Sequence, residues 1–465
     1  MERVDLVVRN GCLVTRDGMF PGGVAIDKGK VVAVAGDKFL PQGKEEIDAG
    51  GKPVLPGIID PHAHLQAAYY TAEELMISET RSAAAGGITT MIPVVFDRAD
   101  PAASYKQFFP RFKEYTEAGA SVDIALSGLV TVRRHVEEIA ECARDFGITS
   151  YKHMMAYSGA EAEVFGVSAV DDGLIMESMR TLKKIGYPGI AMVHAENMDI
   201  VYWHKERLMA SGRNDLAAYT EARPDYAEEE NIRRALFYAE LTGAPLYIVH
   251  MSIGAGVDLV AQALARGVNV VAETCYHYLF FTKDDDDKFG RMAKINPPLR
   301  ARESCEKLLE GIERGIVTCT GSDQSTIMPK AEKMKQDLWS AIPGWPSTET
   351  MLPVLLSEGV NKGKLSLERL VQICCYGPAV TFGIYPQKGE LKVGADGDLV
   401  IIDLDKKKVV DPKKNLHSAA DYSPYEGMEL TGWPILTVLR GQVIMRDGQV
   451  LAKPGTGKYL PRKLA

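Results

Sequence analysis

Eight short apolar runs, alternating with stretches of helical spacing, fill the middle of this 465-residue chain, and they limit its fold more tightly than any other feature. They lie at residues 54–59, 88–95, 123–129, 148–153, 190–193, 246–249, 268–272 and 317–320. Segments between them, such as 136–146 and 228–241, carry apolar residues on one helical face. Strands alternating with helices predict a parallel sheet, and eight is the number that closes into a (β/α)8 barrel. An open doubly wound sheet is the alternative. No Gly-x-Gly-x-x-Gly follows an early strand, which speaks against a dinucleotide site.

The two ends read differently. Val4-Asp5-Leu6-Val7-Val8, Val24-Ala25-Ile26 and Val31-Val32-Ala33-Val34 are apolar, strand-like runs punctuated by Gly and Asp. The same style returns in residues 389–392, 398–403 and 438–443. We therefore expect one β-sandwich built from residues 1–54 and 385–465, flanking a barrel over 55–384. Lys+Arg is 54 against Asp+Glu 62, a net charge of −8, which disfavours nucleic acid or an anionic membrane as partner. No apolar run approaches the roughly 18 residues of a spanning helix, and the first residues form no signal-peptide core. Seven cysteines, two adjacent (Cys374 and Cys375) and none in Cys-x-x-Cys, predict reduced thiols and a cytoplasmic protein.

Polar residues of one kind cluster where the apolar runs end. His62-Ala63-His64 follows the first run, and on an extended chain both imidazoles face one volume. His194 ends the fifth run, His250 the sixth and Asp323 the eighth. In a barrel these positions share the C-terminal mouth, where active sites are built. Four imidazoles and a carboxylate suit zinc and similar divalent ions, and exceed what one tetrahedral zinc needs. Lys152 ends the fourth run; taken alone it reads as a lysine paired with a carboxylate. Crowded by cations and desolvated, its amine would become neutral and able to take up carbon dioxide as a bridging carbamate.

His62-Ala63-His64, Lys152, His194, His250 and Asp323, in this order, resemble the amidohydrolase superfamily, and within it the cyclic-amide hydrolases: dihydropyrimidinase/hydantoinase, allantoinase and dihydroorotase. Gly57-Ile58-Ile59-Asp60-Pro61-His62, Val193-His194-Ala195-Glu196-Asn197, Glu273-Thr274-Cys275, Asn296-Pro297-Pro298-Leu299-Arg300 and Gly394-Ala395-Asp396-Gly397-Asp398 extend the resemblance over nearly the whole chain. It implies a metal-dependent hydrolase with two divalent ions, zinc with manganese as the alternative. His62, His64 and Asp323 would hold one, His194 and His250 the other, with N6-carboxylated Lys152 and a hydroxide bridging them. It further implies Asp323 as general base and acid, Tyr157 as donor to the oxyanion, and ring contacts at Asn296 and Gly344. The assembly it implies is a homotetramer, with a dimer as the alternative.

Gln66 stands where dihydroorotases carry an arginine for the substrate carboxylate, and Tyr157 favours hydantoinases over allantoinases. The expected substrate is therefore a hydantoin or dihydropyrimidine. Asn296-Pro297-Pro298 and Gly344-Trp345-Pro346 point instead to an allantoinase, and Gln324 departs from the common histidine. Residues 65–70 and Phe96 are expected over the pocket or in a subunit interface. His135, His153, His204, His277 and His417 have no assigned role, His277 reading as structural. A dihydropyrimidinase-like assembly protein without activity is the rival from another class, against which the full ligand set stands. A mononuclear deaminase would lack Lys152.

Overall fold

The computed structural model describes residues 3–66, 68–157, 162, 166–325, 328–335 and 337–465, the side chains of 286 and 287 excepted. Five strands precede the barrel: β1 (Val4–Thr15), β2 (Gly18–Asp27), β3 (Lys30–Ala35), β4 (Gly43–Asp48) and β5 (Pro53–Pro56). The barrel strands are β6 (Ile58–Ala63), β7 (Ile88–Val95), β8 (Asp123–Ile124), β9 (Ser127–Val130), β10 (Ser150–Met154), β11 (Ile190–His194), β12 (Leu246–Ile248), β13 (Val270–Cys275) and β14 (Val317–Gly321). All their pairings are parallel, in the order β14-β13-β12-β11-β10-β9-β7-β6, with β8 beside β7. The first and last strands close the barrel through a parallel bridge between Ala63 and Gln324. There Asp323 N–H donates to the His62 carbonyl at 3.0 Å and His64 N–H to the Gln324 carbonyl at 2.7 Å.

Alternation along each strand sorts the barrel core from the helix layer. Ile59, Ile92, Ala125, Met192, Tyr247 and Cys319 pack together inside. Their neighbours, such as Ala191 and Val193, join the larger outer core with Ile139, Ile175 and Ile232 of the helices.

The last four strands, β15 (Leu399–Val409), β16 (Glu429–Leu439), β17 (Gln442–Arg446) and β18 (Gln449–Val450), join β1–β5 in one nine-stranded sheet, ordered β18-β17-β16-β15-β5-β1-β2-β3 with β4 on β1. It is mainly antiparallel, although β1 pairs β4 and β5 in parallel. The sheet doubles over: Gly397 N–H bonds the Gly29 carbonyl at 2.8 Å and Val31 N–H the Ala395 carbonyl at 2.9 Å. Val24 and Ile26 thus share a core with Leu399 and Val438.

Several expectations need correction. The run 54–59 is two strands in two sheets, β5 and β6, joined at Gly57. A Cβ there would stand 2.1 Å from Thr89 Oγ1, so only glycine lets the chain cross. Residues 389–392 form no strand, and 438–443 contain the β16–β17 turn at Arg440-Gly441. The run 123–129 is interrupted at 125–126, where the C-terminal tail docks: Arg462 binds the Leu126 carbonyl and Leu460 N–H the Ile124 carbonyl at 2.8 Å. Among the described residues no helix is long and apolar enough to cross a membrane. The seven cysteines, all described, are unpaired, six of them buried.

Candidate active site

β10 shows how strand geometry selects the site residues. Lys152 and Met154 point inward and line a pocket at the barrel mouth. Tyr151 packs outward in the helix-layer core, and His153 donates or accepts outward to Ser178 Oγ at 2.8 Å. On β11, Met192 and His194 face in by the same rule. The pocket brings together His64, Lys152, His194, His250, Asp323, Tyr157, Asn296 and Gly344, and His62 lies directly beneath.

Donor atoms of His62, His64 and Asp323 lie within 4.8 Å of one another. His62 Nε2 is 3.6 Å and His64 Nε2 3.5 Å from Asp323 Oδ1. Lys152 Nζ is 2.6 Å from His62 Nε2, and His250 Nε2 is 2.9 Å from His194 Nδ1. The His62 and His250 rings stand 5.4 Å apart and join the two groups.

Burial sets the protonation states. It holds His62 and His250 well below the usual imidazole range, helped by the Lys152 charge at His62 and by His194 at His250. It lowers His194 and brings His64 to about 4. Burial alone would push the Asp323 carboxyl up, but His62, His64 and His250 hold it well below the ordinary carboxylate range. Lys152 is lowered by burial, against the pull of Asp323 and Glu273. Near neutral pH the histidines therefore offer lone pairs, and His250 Nδ1 is a buried nitrogen without a hydrogen-bond partner among the described residues. This donor set fits divalent cations, which need deprotonated ligands.

The sequence reading missed the groups behind the histidines. Glu273 Oε1 is 3.3 Å from His62 Nδ1, which leaves Nε2 to the pocket side. Burial pushes Glu273 up to about 8. Glu196 Oε2 takes His194 Nε2 at 2.8 Å and Arg223 Nη1 at 3.0 Å. Burial opposes its ionisation, yet Arg223 and His194 bring it to about 2. Such carboxylates fix tautomer and ring orientation. Signals existed for both: Glu273 is a charge inside an apolar strand, and Glu196 follows His194 by two. Arg223 had none.

Three site residues, Tyr157 (φ 71°), His250 (φ 38°) and Asp323 (φ 45°), adopt left-handed backbone conformations that cost about 1–3 kcal/mol each. Backbone bonds hold the chain around them: Ala169 N–H, in a loop, bonds the Tyr157 carbonyl at 2.7 Å, Met251 N–H the Glu273 carbonyl of β13 at 2.8 Å, and Asp323 N–H the His62 carbonyl at 3.0 Å. Gly344 (φ 106°) needs no such support for its own conformation; its N–H bonds the Lys294 carbonyl at 2.8 Å, and buried Lys333 binds its carbonyl.

Of the loop over the site, Gln66, Ala68 and Tyr69 line the pocket with Phe96, Tyr70 bonds the Ala419 carbonyl at 3.1 Å, and Ala67 lies outside the described residues. Gln66 spends both ends of its amide on Phe96, accepting its N–H at 3.1 Å and donating to its carbonyl. Gln324 is buried structure, tied to Glu79, Ser347 and Thr348. The remaining histidines stay outside the cluster: His135 bonds Ala103, His204 Tyr226 and His417 Glu349, while His277 is buried against Tyr278 and Trp345.

A model of the amidohydrolase family matches residues 54–444. The chain is 38% identical to an L-hydantoinase of Paenarthrobacter aurescens, over 99% of this chain and 98% of that one. It is 36% identical to an allantoinase of Rubrobacter xylanophilus, over 99% and 98%. The solved L-hydantoinase (dihydropyrimidinase) from Arthrobacter aurescens superposes with a TM-score of 0.90 at 36% identity, covering 99% of this chain and 100% of that one.

Proposed function

The chain belongs to the amidohydrolase family and is a hydrolase of cyclic amides, and on that premise we propose that it opens a hydantoin or dihydropyrimidine ring to the N-carbamoyl acid. We assign the chemistry to residues 55–384, with 1–54 and 385–465 as the flanking sandwich. His62, His64 and Asp323 would hold one divalent ion, His194 and His250 a second, with carboxylated Lys152 shared between them; zinc is the first choice and manganese the alternative. Such a pair supplies Lewis acidity, making water a nucleophile near neutral pH and polarising the scissile carbonyl. Asp323, held ionised by its histidines, takes the proton of the attacking water and returns it to the ring nitrogen as the C–N bond breaks. Tyr157 donates to the oxyanion.

The observation that carries the substrate reading is Tyr157, in the pocket wall with its ring 5.3 Å from that of His194. Gln66 supports it, since both ends of its amide are engaged by Phe96 and it offers no charge to a substrate carboxylate. Allantoin is the second reading, favoured by the Asn296 side chain in the pocket, an amide able to pair with a ureide arm. Buried, unpaired thiols favour a reducing compartment, the cytoplasm, and the homotetramer rests on the family resemblance. The test is kcat/KM for hydantoin, 5-phenylhydantoin, dihydrouracil, allantoin and dihydroorotate with added Zn²⁺ or Mn²⁺. Hydantoins or dihydrouracil should lead; allantoin ahead of all of them would replace the substrate and leave the site standing. Tyr157→Phe should lower kcat by about 10²-fold or more with metal content unchanged.

A further inference from the structure

Tyr219 lies behind the pocket wall on the helix Leu216–Ala222, buried in a small core with Leu208, Leu338 and Trp339. Two cations fix its ring: Lys294 Nζ is 4.6 Å and Arg223 Cζ 5.2 Å from the ring centroid. Its hydroxyl donates to Asn296 Oδ1 in a buried hydrogen bond. With Oδ1 committed, Asn296 presents Nδ2 to the pocket, 3.5 Å from Tyr157 Oη.

The direction of that last contact matters. An amide has an acceptor end and a donor end, and a phenol carries one proton. If Asn296 were turned over, its Oδ1 would face Tyr157 and take the phenol's proton. Held by Tyr219, it faces Tyr157 with a donor, so Tyr157 Oη accepts and its O–H points away from Asn296. We propose that Tyr219 is a positioning residue for the reaction: it locks the Asn296 amide so that Asn296 donates to Tyr157 and the Tyr157 proton is aimed at the substrate carbonyl. This rests on the reading of Tyr157 as the oxyanion donor.

A double-mutant cycle separates the two claims. Tyr219→Phe should lower kcat about 10-fold, the worth of one oriented hydrogen bond, with KM and metal content near wild type and a modest drop in melting temperature from the acceptor it leaves unpaired. In a Tyr157→Phe background the same substitution should do nothing more, because no proton remains to aim. A Tyr157→Phe variant with wild-type kcat would overturn the reading of Tyr157 itself. If instead Tyr157→Phe is impaired, and Tyr219→Phe is silent or its loss simply multiplies with it, the relay is wrong and Tyr157 keeps its role. Should Tyr219→Phe fold poorly, Tyr219→Met, which also removes the hydroxyl, serves, with kcat taken per folded, metal-loaded molecule: it should fall in the wild-type background and fall no further beside Tyr157→Phe, and an equal fall in both backgrounds overturns the relay.

Discussion

Two buried clusters in this chain gather metal-type ligands around a lysine, and they treat the lysine in opposite ways. At the barrel mouth Lys152 Nζ faces imidazoles, and burial lowers its pKa. At the joint between barrel and terminal sheet, Lys388 Nζ stands 2.6 Å from Asp123, 2.6 Å from Asp398 and 3.0 Å from Asp396. Burial opposes that ammonium too, yet Asp398, Asp123 and Asp396 hold it above its ordinary range. Both clusters offer three ligand atoms within 4.8 Å. Only the second already contains its cation. Arg440 and the Lys458 N–H, 2.9 Å from Asp123 Oδ1, add further donors there. A lysine held by three carboxylates is a structural cation, whereas at Lys152 burial outweighs the pull of Asp323 and Glu273 and moves the group toward the amine. Geometry alone does not separate a metal site from an ion-pair knot; the charge balance of the ligands does.

The largest effect should come from the mouth. Lys152→Ala removes the only side chain proposed to be shared by both ions, so metal and activity should be lost together. Elemental analysis and kcat should both fall to background, and a short carboxylic acid should restore part of each. Wild-type metal content with wild-type rate in this variant would end the carbamate assignment. Asp323→Asn comes next: its amide can still ligate through oxygen but accepts no proton. Steady-state kinetics should show kcat reduced about 10²–10⁴-fold with KM little changed.

The mouth was legible in the sequence and the joint was not. His62, His64, Lys152, His194, His250 and Asp323 each follow an apolar run, and a barrel puts every such position at one end. Asp123, Lys388, Asp396, Asp398 and Arg440 meet only because two chain ends fold back on the first part of the barrel, and no local pattern announces that pairing. Distance along the chain likewise hid Arg223 behind His194 and Tyr219 behind Asn296: the helix Leu216–Ala222 and the bend that follows it supply them from the far side of the wall. Local chemistry blurred the run 54–59, where apolarity is continuous and only the contact of Gly57 with Thr89 divides two sheets.

Lys388→Met tests the joint. Removing one partner leaves buried carboxylates uncompensated, a loss of about 3–5 kcal/mol. Thermal or denaturant unfolding should show it, with kcat per folded molecule unchanged, since Lys388 lies outside the pocket. Ca²⁺ should recover part of the stability by taking the place of the ammonium among three carboxylates. A variant as stable as wild type, or one that loses activity while folded, would erase the contrast with Lys152.

The smallest effect, and the sharpest on sign, is alkaline. Below both pKa values each lysine is charged in the folded and unfolded chain alike. Lys388 titrates higher folded than unfolded, so its stabilisation is complete below about 10.5 and is lost as pH rises beyond it. Lys152 titrates lower when folded, so in metal-stripped protein the unfolded chain binds the extra proton between its folded pKa and about 10.5, and stability rises with pH there. Each slope reaches at most about 1.4 kcal/mol per pH unit. Unfolding free energies of metal-free wild type, Lys152→Met and Lys388→Met, compared from pH 7 to 11, should give difference curves of opposite sense. The penalty of Lys388→Met should be flat to about pH 10 and shrink above it, while the gain from Lys152→Met should shrink as pH rises from the lowered folded pKa of Lys152 to about 10.5. Curves of the same sense would mean that burial does not push Lys152 toward the neutral amine, and the chemical distinction between the two clusters would fall.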